Sequence, residues 1–144
     1  VSIALFASGS RGSCMAALYF ASVWAPDLDG RGATPNMADI FELSDGEFED
    51  MVLKAPLPVL LAVGAPWCGP CVRLEPILEQ VAAAFAENVL VLKLNTDENP
   101  LVPRRLGIMS IPTLVLFRDG EERDRIVGFT SAAELKRRLE QALR

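Results

Sequence analysis

Hydrophobic residues along residues 39–144 form two kinds of pattern, one typical of β-strands and one typical of α-helices, and the two kinds alternate along the chain. An unbroken apolar run at 59–63 predicts a strand covered on both faces. Further strand-like segments lie at 39–43, 89–95, 113–117 and 121–127. After the first apolar run, hydrophobic residues recur three and four positions apart, which predicts a long helix over 72–88. Strands and helices are therefore expected to alternate along the chain.

Capping and turn residues mark the other elements. Residues 44–47 and 131–134 both have the Ser-x-x-Glu form of a capping box, which predicts a helix start at each. Segment 99–107 begins with Asn-Pro and ends with Gly, as a short helix does. The Asp-Gly pair at 119–120 predicts a hairpin. The resulting order, β-α-β-α-β-α-β-β-α, predicts an α/β fold with a mixed sheet between helices.

Residues 1–36 differ from the rest of the chain because they are rich in Ala, Ser and Gly. Their apolar run at 14–25 is too short for a transmembrane helix. We therefore expect an N-terminal extension that is disordered or outside the core, followed by one domain at 37–144. The alternative is a secretory signal in residues 1–25, since Arg11 precedes the apolar run.

Composition and charge exclude several kinds of chemistry. The 144 residues carry a net charge of −5, which argues against nucleic acid as a partner. The absence of histidine excludes Cys-His and Ser-His catalytic pairs and histidine metal ligands. Three cysteines are too few for a four-thiolate zinc site in one chain. Thiol redox chemistry at a close Cys-x-x-Cys pair remains.

The pair in question lies in Trp67-Cys68-Gly69-Pro70-Cys71, between the apolar strand and the long helix. Free backbone N–H groups and the helix dipole stabilise negative charge at a helix start, so a lowered thiol pKa is expected at Cys68. Cys71 follows one turn later and is expected to be more buried and less reactive. This arrangement predicts an attacking thiol at Cys68 and a resolving thiol at Cys71.

With these motifs the chain resembles the thioredoxin family over residues 39–144. The matching residues are Trp67-Cys68-Gly69-Pro70-Cys71, Pro76, Lys93-Leu94-Asn95-Thr96-Asp97, Ile111-Pro112-Thr113, Asp119-Gly120 and Gly128. The resemblance implies the thioredoxin fold, in which helices flank a central mixed sheet on both faces. It also implies a cis Pro112 that faces the cysteines and leaves the backbone of Ile111 to bind substrate. A flat apolar contact surface is implied for Trp67, Gly69, Pro70, Gly128 and Phe129.

The function implied by the resemblance is that of a protein-disulfide reductase that maintains cell redox homeostasis. Such a protein is a cytoplasmic monomer without a bound cofactor. Its partners are disulfide-containing proteins and an NADPH-dependent flavoprotein, thioredoxin reductase, and they include neither nucleic acid nor membranes. The Gly-Pro pair between the cysteines is typical of reductants. Two alternatives are an exported or membrane-tethered oxidoreductase and a binding module with secondary redox activity.

Two residues depart from the family pattern near Cys71. Ala62 occupies the position of a buried aspartate that helps to deprotonate the resolving cysteine, so slower resolution is expected. Lys93 is retained but loses that carboxylate as a partner, and its ammonium is expected to lower the pKa of Cys71 directly. Gly64 replaces a tryptophan found in many members, which opens space beside the site. Glu75 is expected to lie at the surface, and the acidic pair at 97–98 is expected to form part of a solvated face.

Overall fold

The computed structural model describes residues 39–144, and the predictions for residues 1–36 lie outside this part of the chain. Its five-stranded sheet has the strand order β1-β3-β2-β4-β5. The strands are β1 (Phe41–Glu42), β2 (Val59–Gly64), β3 (Leu90–Asn95), β4 (Thr113–Arg118) and β5 (Glu121–Val127). Strands β1, β3 and β2 are parallel, and β4 and β5 are antiparallel to their neighbours, so the predicted mixed sheet is confirmed.

Three α-helices follow the predicted order: α1 (Gly69–Ala84), α2 (Leu101–Arg105) and α3 (Ala132–Leu143). The first predicted helix is instead a 3-10 turn (Asp45–Glu47) followed by a π-helical turn (Glu49–Leu53). The capping box does form, because the backbone N–H of Ser44 donates to Glu47 Oε2 at 3.0 Å. Two nearby prolines, Pro56 and Pro58, leave little room for a longer helix before β2.

The hydrophobic residues of β2 are buried because the strand lies between β3 and β4 and is covered on both faces. One face packs against α1 and α3 through Leu60, Leu74, Leu78, Val81, Leu114, Leu135 and Leu139. On the other face the ring of Phe48 meets Phe117 edge-on at 5.8 Å. This packing fixes the carboxyl ends of β2 and β3 side by side, with Gly64 opposite Asn95.

The central strand should determine much of the stability of the domain. Leu61 is fully buried on β2, so Leu61→Ala is expected to lower the free energy of unfolding by about 3 kcal/mol. Denaturant titration monitored by circular dichroism measures this loss. Leu101→Ala is the matched control, because the same change at an exposed position should cost less than about 0.5 kcal/mol. Equal losses in the two variants would contradict the assignment of Leu61 to the core.

Candidate active site

Cys68 lies immediately before α1, at the carboxyl end of β2. Its backbone is extended (φ −82°, ψ 110°), and its Sγ accepts a hydrogen bond from the backbone N–H of Cys71 at 3.3 Å. Pro70 lies in the first turn of α1, where its missing N–H and fixed φ suit a helix start. The predicted position of Cys68 near the first turn of the helix is confirmed, although the helix runs over Gly69–Ala84 and not over 72–88. The positive end of the helix dipole faces the Cys68 sulfur.

Cys68 and Cys71 form a disulfide across the first turn of α1. Their Cα atoms are 5.2 Å apart, within the normal range for a disulfide. The ring encloses Gly69, which is exposed, and Pro70, which is half-buried. The structure therefore joins the two cysteines of the motif in the oxidised form of a dithiol pair.

The exposures of the two cysteines reverse the expected order. Cys68 is buried, with 6% of its surface exposed, whereas Cys71 is half-buried. The prediction that Cys71 is the more buried is wrong because β2 carries small residues beside it. A Cβ added at Gly64 would lie only 3.0 Å from the Sγ of Cys71, so glycine leaves that side of the sulfur uncovered.

A cavity of about 280 Å³ lies against Cys71. We call it the Cys71 cavity, and its walls include Ala62, Gly64, Cys71, Glu75, Lys93 and Pro112. It opens where the family pattern has a buried aspartate and a tryptophan and this chain has Ala62 and Gly64. The predicted open space beside the site is confirmed, and it lies next to Cys71.

Lys93 lies beside Ala62 in the register of β2 and β3, as expected. Its ammonium nevertheless has a carboxylate partner, because Lys93 Nζ forms a salt bridge with Glu75 Oε1, and both residues line the cavity. Lys93 thus lacks the family aspartate, as expected, and Glu75 lies at the surface, as expected, with 42% of its side chain exposed. The pairing of the two residues was not predicted. A sequence signal existed, since Glu75 follows Cys71 by four positions on one helix and so shares its face.

The loop that leads into β4 and contains Ile111 and Pro112, here called the cis-proline loop, brings a second segment to the cysteines. The Ile111–Pro112 peptide bond is cis, as predicted, and Pro112 lines the Cys71 cavity. The buried Thr113 closes this loop because its Oγ1 donates to the carbonyl of Ser110 at 2.6 Å. The backbone N–H of Gly128 donates to the carbonyl of Pro112 at 2.8 Å, and Gly128 has a φ of 90° that favours glycine.

Large apolar side chains are exposed on the segments that flank the disulfide. Trp67 is exposed, and its indole Nε1 donates to Asp97 Oδ2 at 2.8 Å. Asp97 is exposed, as predicted, but its hydrogen bond to Trp67 was not predicted. Phe129 is also exposed, with the guanidinium of Arg73 5.6 Å from its ring centroid. The sequence prediction missed Met109, which is 96% exposed two residues before Ile111.

Neither a metal site nor a membrane span emerges from residues 39–144. Within that range no group of three or more acidic or cysteine side chains could hold a metal ion. The helices of the same range are all too short or too polar to cross a bilayer.

The sequence model of the thioredoxin family matches residues 39–141, which include the disulfide, the cis-proline loop and all five strands. The chain belongs to the thioredoxin family. The family assignment made from the Trp-Cys-Gly-Pro-Cys motif and the predicted thioredoxin fold are both confirmed.

Similar proteins come from bacteria and plants. Thioredoxin 1 of Synechococcus elongatus is 42% identical over 101 residues, which cover 70% of this chain and 94% of that protein. A thioredoxin of Rickettsia bellii is 49% identical over 86 residues, covering 60% of this chain and 82% of that protein. The chloroplastic thioredoxin M4 of Arabidopsis thaliana is 38% identical over 115 residues, covering 80% of this chain and 60% of that protein.

Thioredoxins are dithiol-disulfide oxidoreductases that need no bound cofactor and work through a redox-active disulfide. In this thioredoxin the Cys68–Cys71 disulfide is that group. The predicted thiol-disulfide oxidoreductase activity is confirmed at this level by the family and by the pairing of the two cysteines.

Proposed function

We propose that this thioredoxin reduces protein disulfides, with Cys68 as the nucleophile and Cys71 as the resolving thiol. The hydrogen bond from the Cys71 backbone N–H to Cys68 Sγ carries the proposal, because it stabilises a thiolate at the start of α1. Cys68 attacks one substrate sulfur, forms a mixed disulfide and releases the other substrate sulfur as a thiolate. Cys71 then attacks Cys68, which releases the second substrate sulfur and restores the Cys68–Cys71 disulfide.

The reducing direction of the exchange is supported by the residues between the cysteines. Gly69 and Pro70 are uncharged, so neither adds the positive charge that stabilises a thiolate and makes a disulfide more oxidising. The electron donor in this proposal is an NADPH-dependent flavoprotein, thioredoxin reductase. It reduces the Cys68–Cys71 disulfide after each cycle, and cell redox homeostasis is the physiological role.

Insulin reduction tests the proposed activity. The full chain is incubated with insulin, NADPH and a bacterial thioredoxin reductase, and NADPH oxidation is followed by absorbance. We expect turnover that requires all three components besides the chain. If the chain is reduced by dithiothreitol but still leaves insulin disulfides intact, the reductase proposal is wrong.

The substrate surface in this proposal surrounds the disulfide. Its members are Trp67, Gly69, Pro70, Ile111, Pro112 and Gly128. The backbone of Ile111 pairs with an extended segment of the substrate beside Cys68, in the manner of strand addition. The exposed Trp67 supplies apolar contact area, and Asp97 holds the orientation of its indole ring.

Asp97→Ala should weaken substrate binding without changing the chemistry. Loss of one hydrogen bond of about 1 kcal/mol to the Trp67 indole is expected to raise the KM for insulin about fivefold while kcat stays constant. Steady-state insulin reduction measures both constants. Glu98→Ala is the matched control, since this neighbouring acidic residue is exposed and should leave KM unchanged. A fall in kcat with unchanged KM would argue against the binding role.

Lys93 supports the resolving thiol in this proposal. Its ammonium lines the Cys71 cavity, and a nearby positive charge favours the thiolate form of Cys71. The proposal also places the working domain at residues 37–144 in a cytoplasmic monomer, with residues 1–36 as an extension that the reaction does not need. Sequencing the N-terminus of the protein from its native host tests this: cleavage near residue 25 would indicate export instead.

A further inference from the structure

Resolution of the mixed disulfide requires Cys71 to lose a proton, and this inference rests on the function proposed above. The thiolate is the attacking species, so the site needs a group that takes the proton from Cys71 Sγ. The central strand offers no such group, because Ala62 occupies the position at which the family pattern has a carboxylate. Histidine is absent from the whole sequence. A side chain of the protein that accepts this proton would therefore come from another wall of the Cys71 cavity.

Three titratable side chains besides Cys71 line this cavity: Glu42 from β1, Glu75 from α1 and Lys93 from β3. Strand β2 contributes only small or apolar residues, and the cis-proline loop contributes Pro112. Two carboxylates therefore compete as proton acceptors. Their positions in the fold distinguish them.

Glu42 belongs to the edge strand, whereas Glu75 shares a helix with Cys71. Glu42 lies opposite Lys93 on the edge strand, and β3 separates β1 from β2. Glu75 lies four residues after Cys71 on α1, and residues at this spacing are neighbours on one helix face. The salt bridge with Lys93 holds the Glu75 carboxylate at the cavity.

We propose that Glu75, positioned by Lys93, accepts the proton of Cys71 through water in the Cys71 cavity. A volume of about 280 Å³ holds several waters at about 30 Å³ each, and polar groups on its walls can bind them. The arrangement replaces the carboxylate missing from β2 with one from the adjacent helix. Glu75 takes up the proton through water and does not contact the substrate directly.

The step balances without any further reactant. The Cys71 S–H bond breaks, and the proton passes through water to the Glu75 carboxylate. A bond forms between Cys71 Sγ and Cys68 Sγ while the bond from Cys68 to the substrate sulfur breaks. The electron pair leaves on the substrate sulfur, which takes up a proton. The substrate is reduced, the two cysteines are oxidised, and Glu75 returns its proton to solvent.

Rapid-mixing kinetics of the full chain test the proposal. The reduced protein reacts with a fluorescent disulfide peptide between pH 5 and 9, and acid-quenched mass spectrometry separates mixed-disulfide formation from its resolution. Glu75→Gln is expected to slow resolution at pH 7 by about ten- to a hundredfold, toward the low end of the contribution from a positioned proton acceptor. It should also shift the pH dependence so that resolution recovers only at alkaline pH. Formation of the mixed disulfide should be unchanged.

Four further variants identify the responsible group. Glu79→Gln is the matched control, because this exposed glutamate lies one turn further along α1. The mixed disulfide of this variant should be resolved at the normal rate. Glu75→Asp keeps a carboxylate and should retain more activity than the glutamine variant. Adding Ala62→Asp to Glu75→Gln should restore resolution, because a carboxylate then returns to the opposite wall of the cavity. The two aspartate variants distinguish proton transfer from a purely structural role of the Glu75–Lys93 salt bridge. In Glu42→Gln, resolution of the mixed disulfide should proceed at the normal rate.

Several results would overturn the inference. Unchanged resolution in Glu75→Gln would do so, as would a loss that appears in Glu42→Gln instead. Equal slowing of formation and resolution would indicate a general structural defect. A failure of the proposed function would give a different result: the wild-type chain would form no mixed disulfide at Cys68.

Discussion

Cys68→Ser is expected to abolish insulin reduction, with turnover falling by on the order of 10³-fold or more. A serine hydroxyl remains protonated near neutral pH and cannot use the stabilisation that the start of α1 gives to a thiolate. The variant should keep its fold, because serine is also a favoured residue at the helix N-cap. Reduction of insulin in the presence of NADPH and thioredoxin reductase measures the loss, and circular dichroism verifies the fold.

Cys14→Ser provides the matched control for this variant. It removes a cysteine that lies outside the Trp-Cys-Gly-Pro-Cys motif, and wild-type turnover is expected. Residual activity in Cys68→Ser above about a tenth of the wild-type value would mean that another thiol starts the reaction. Cys71 would then be the candidate, since it is the more exposed of the pair.

Much of the fold was predictable because it depends on local patterns. The apolar run at 59–63 predicted the central strand, since a strand covered on both faces needs hydrophobic residues at every position. The Asp119–Gly120 pair predicted the β4–β5 hairpin, in which both residues have positive φ. The helical pattern directly after the motif predicted that Cys68 lies near the first turn of a helix.

Contacts between distant residues were not predictable in the same way. Lys93 and Glu75 are 18 positions apart, and Trp67 and Asp97 are 30 apart, so both contacts depend on the packing of α1 and β3 beside β2. The burial of the two cysteines also depends on neighbours outside the motif. The structure places Ala62 and Gly64 beside Cys71 and thereby shows that Cys71 faces a cavity.

The two cysteines thus depend on different parts of the chain. Cys68 obtains its stabilising hydrogen bond from Cys71, three residues away, and from the helix that begins there. Cys71 depends on groups that three other segments bring to its cavity: Gly64 from β2, Lys93 from β3 and Pro112 from the cis-proline loop. Substitutions around the cavity should therefore change the second step of the reaction more than the first.

Cys71→Ser is expected to stop the reaction at the mixed disulfide. The backbone N–H of residue 71 still donates to Cys68 Sγ, so the nucleophile remains activated and the first attack proceeds at about the normal rate. The second attack requires a thiolate, and a hydroxyl in its place should slow resolution by on the order of 10³-fold or more. Substrate proteins should then accumulate as covalent adducts of Cys68.

Adducts of Cys71→Ser can be measured by mass spectrometry of the full chain after reaction with insulin, before and after treatment with dithiothreitol. We expect one insulin molecule per chain, joined to Cys68 by a single mixed disulfide and released by the reductant. The double variant with Cys68→Ser should form no adduct, which separates covalent trapping from simple binding. Normal multiple turnover by Cys71→Ser would show that a second substrate or solution thiol resolves the intermediate. The cavity beside Cys71 would then have no role in the reaction, because the thiol that it surrounds would not be needed.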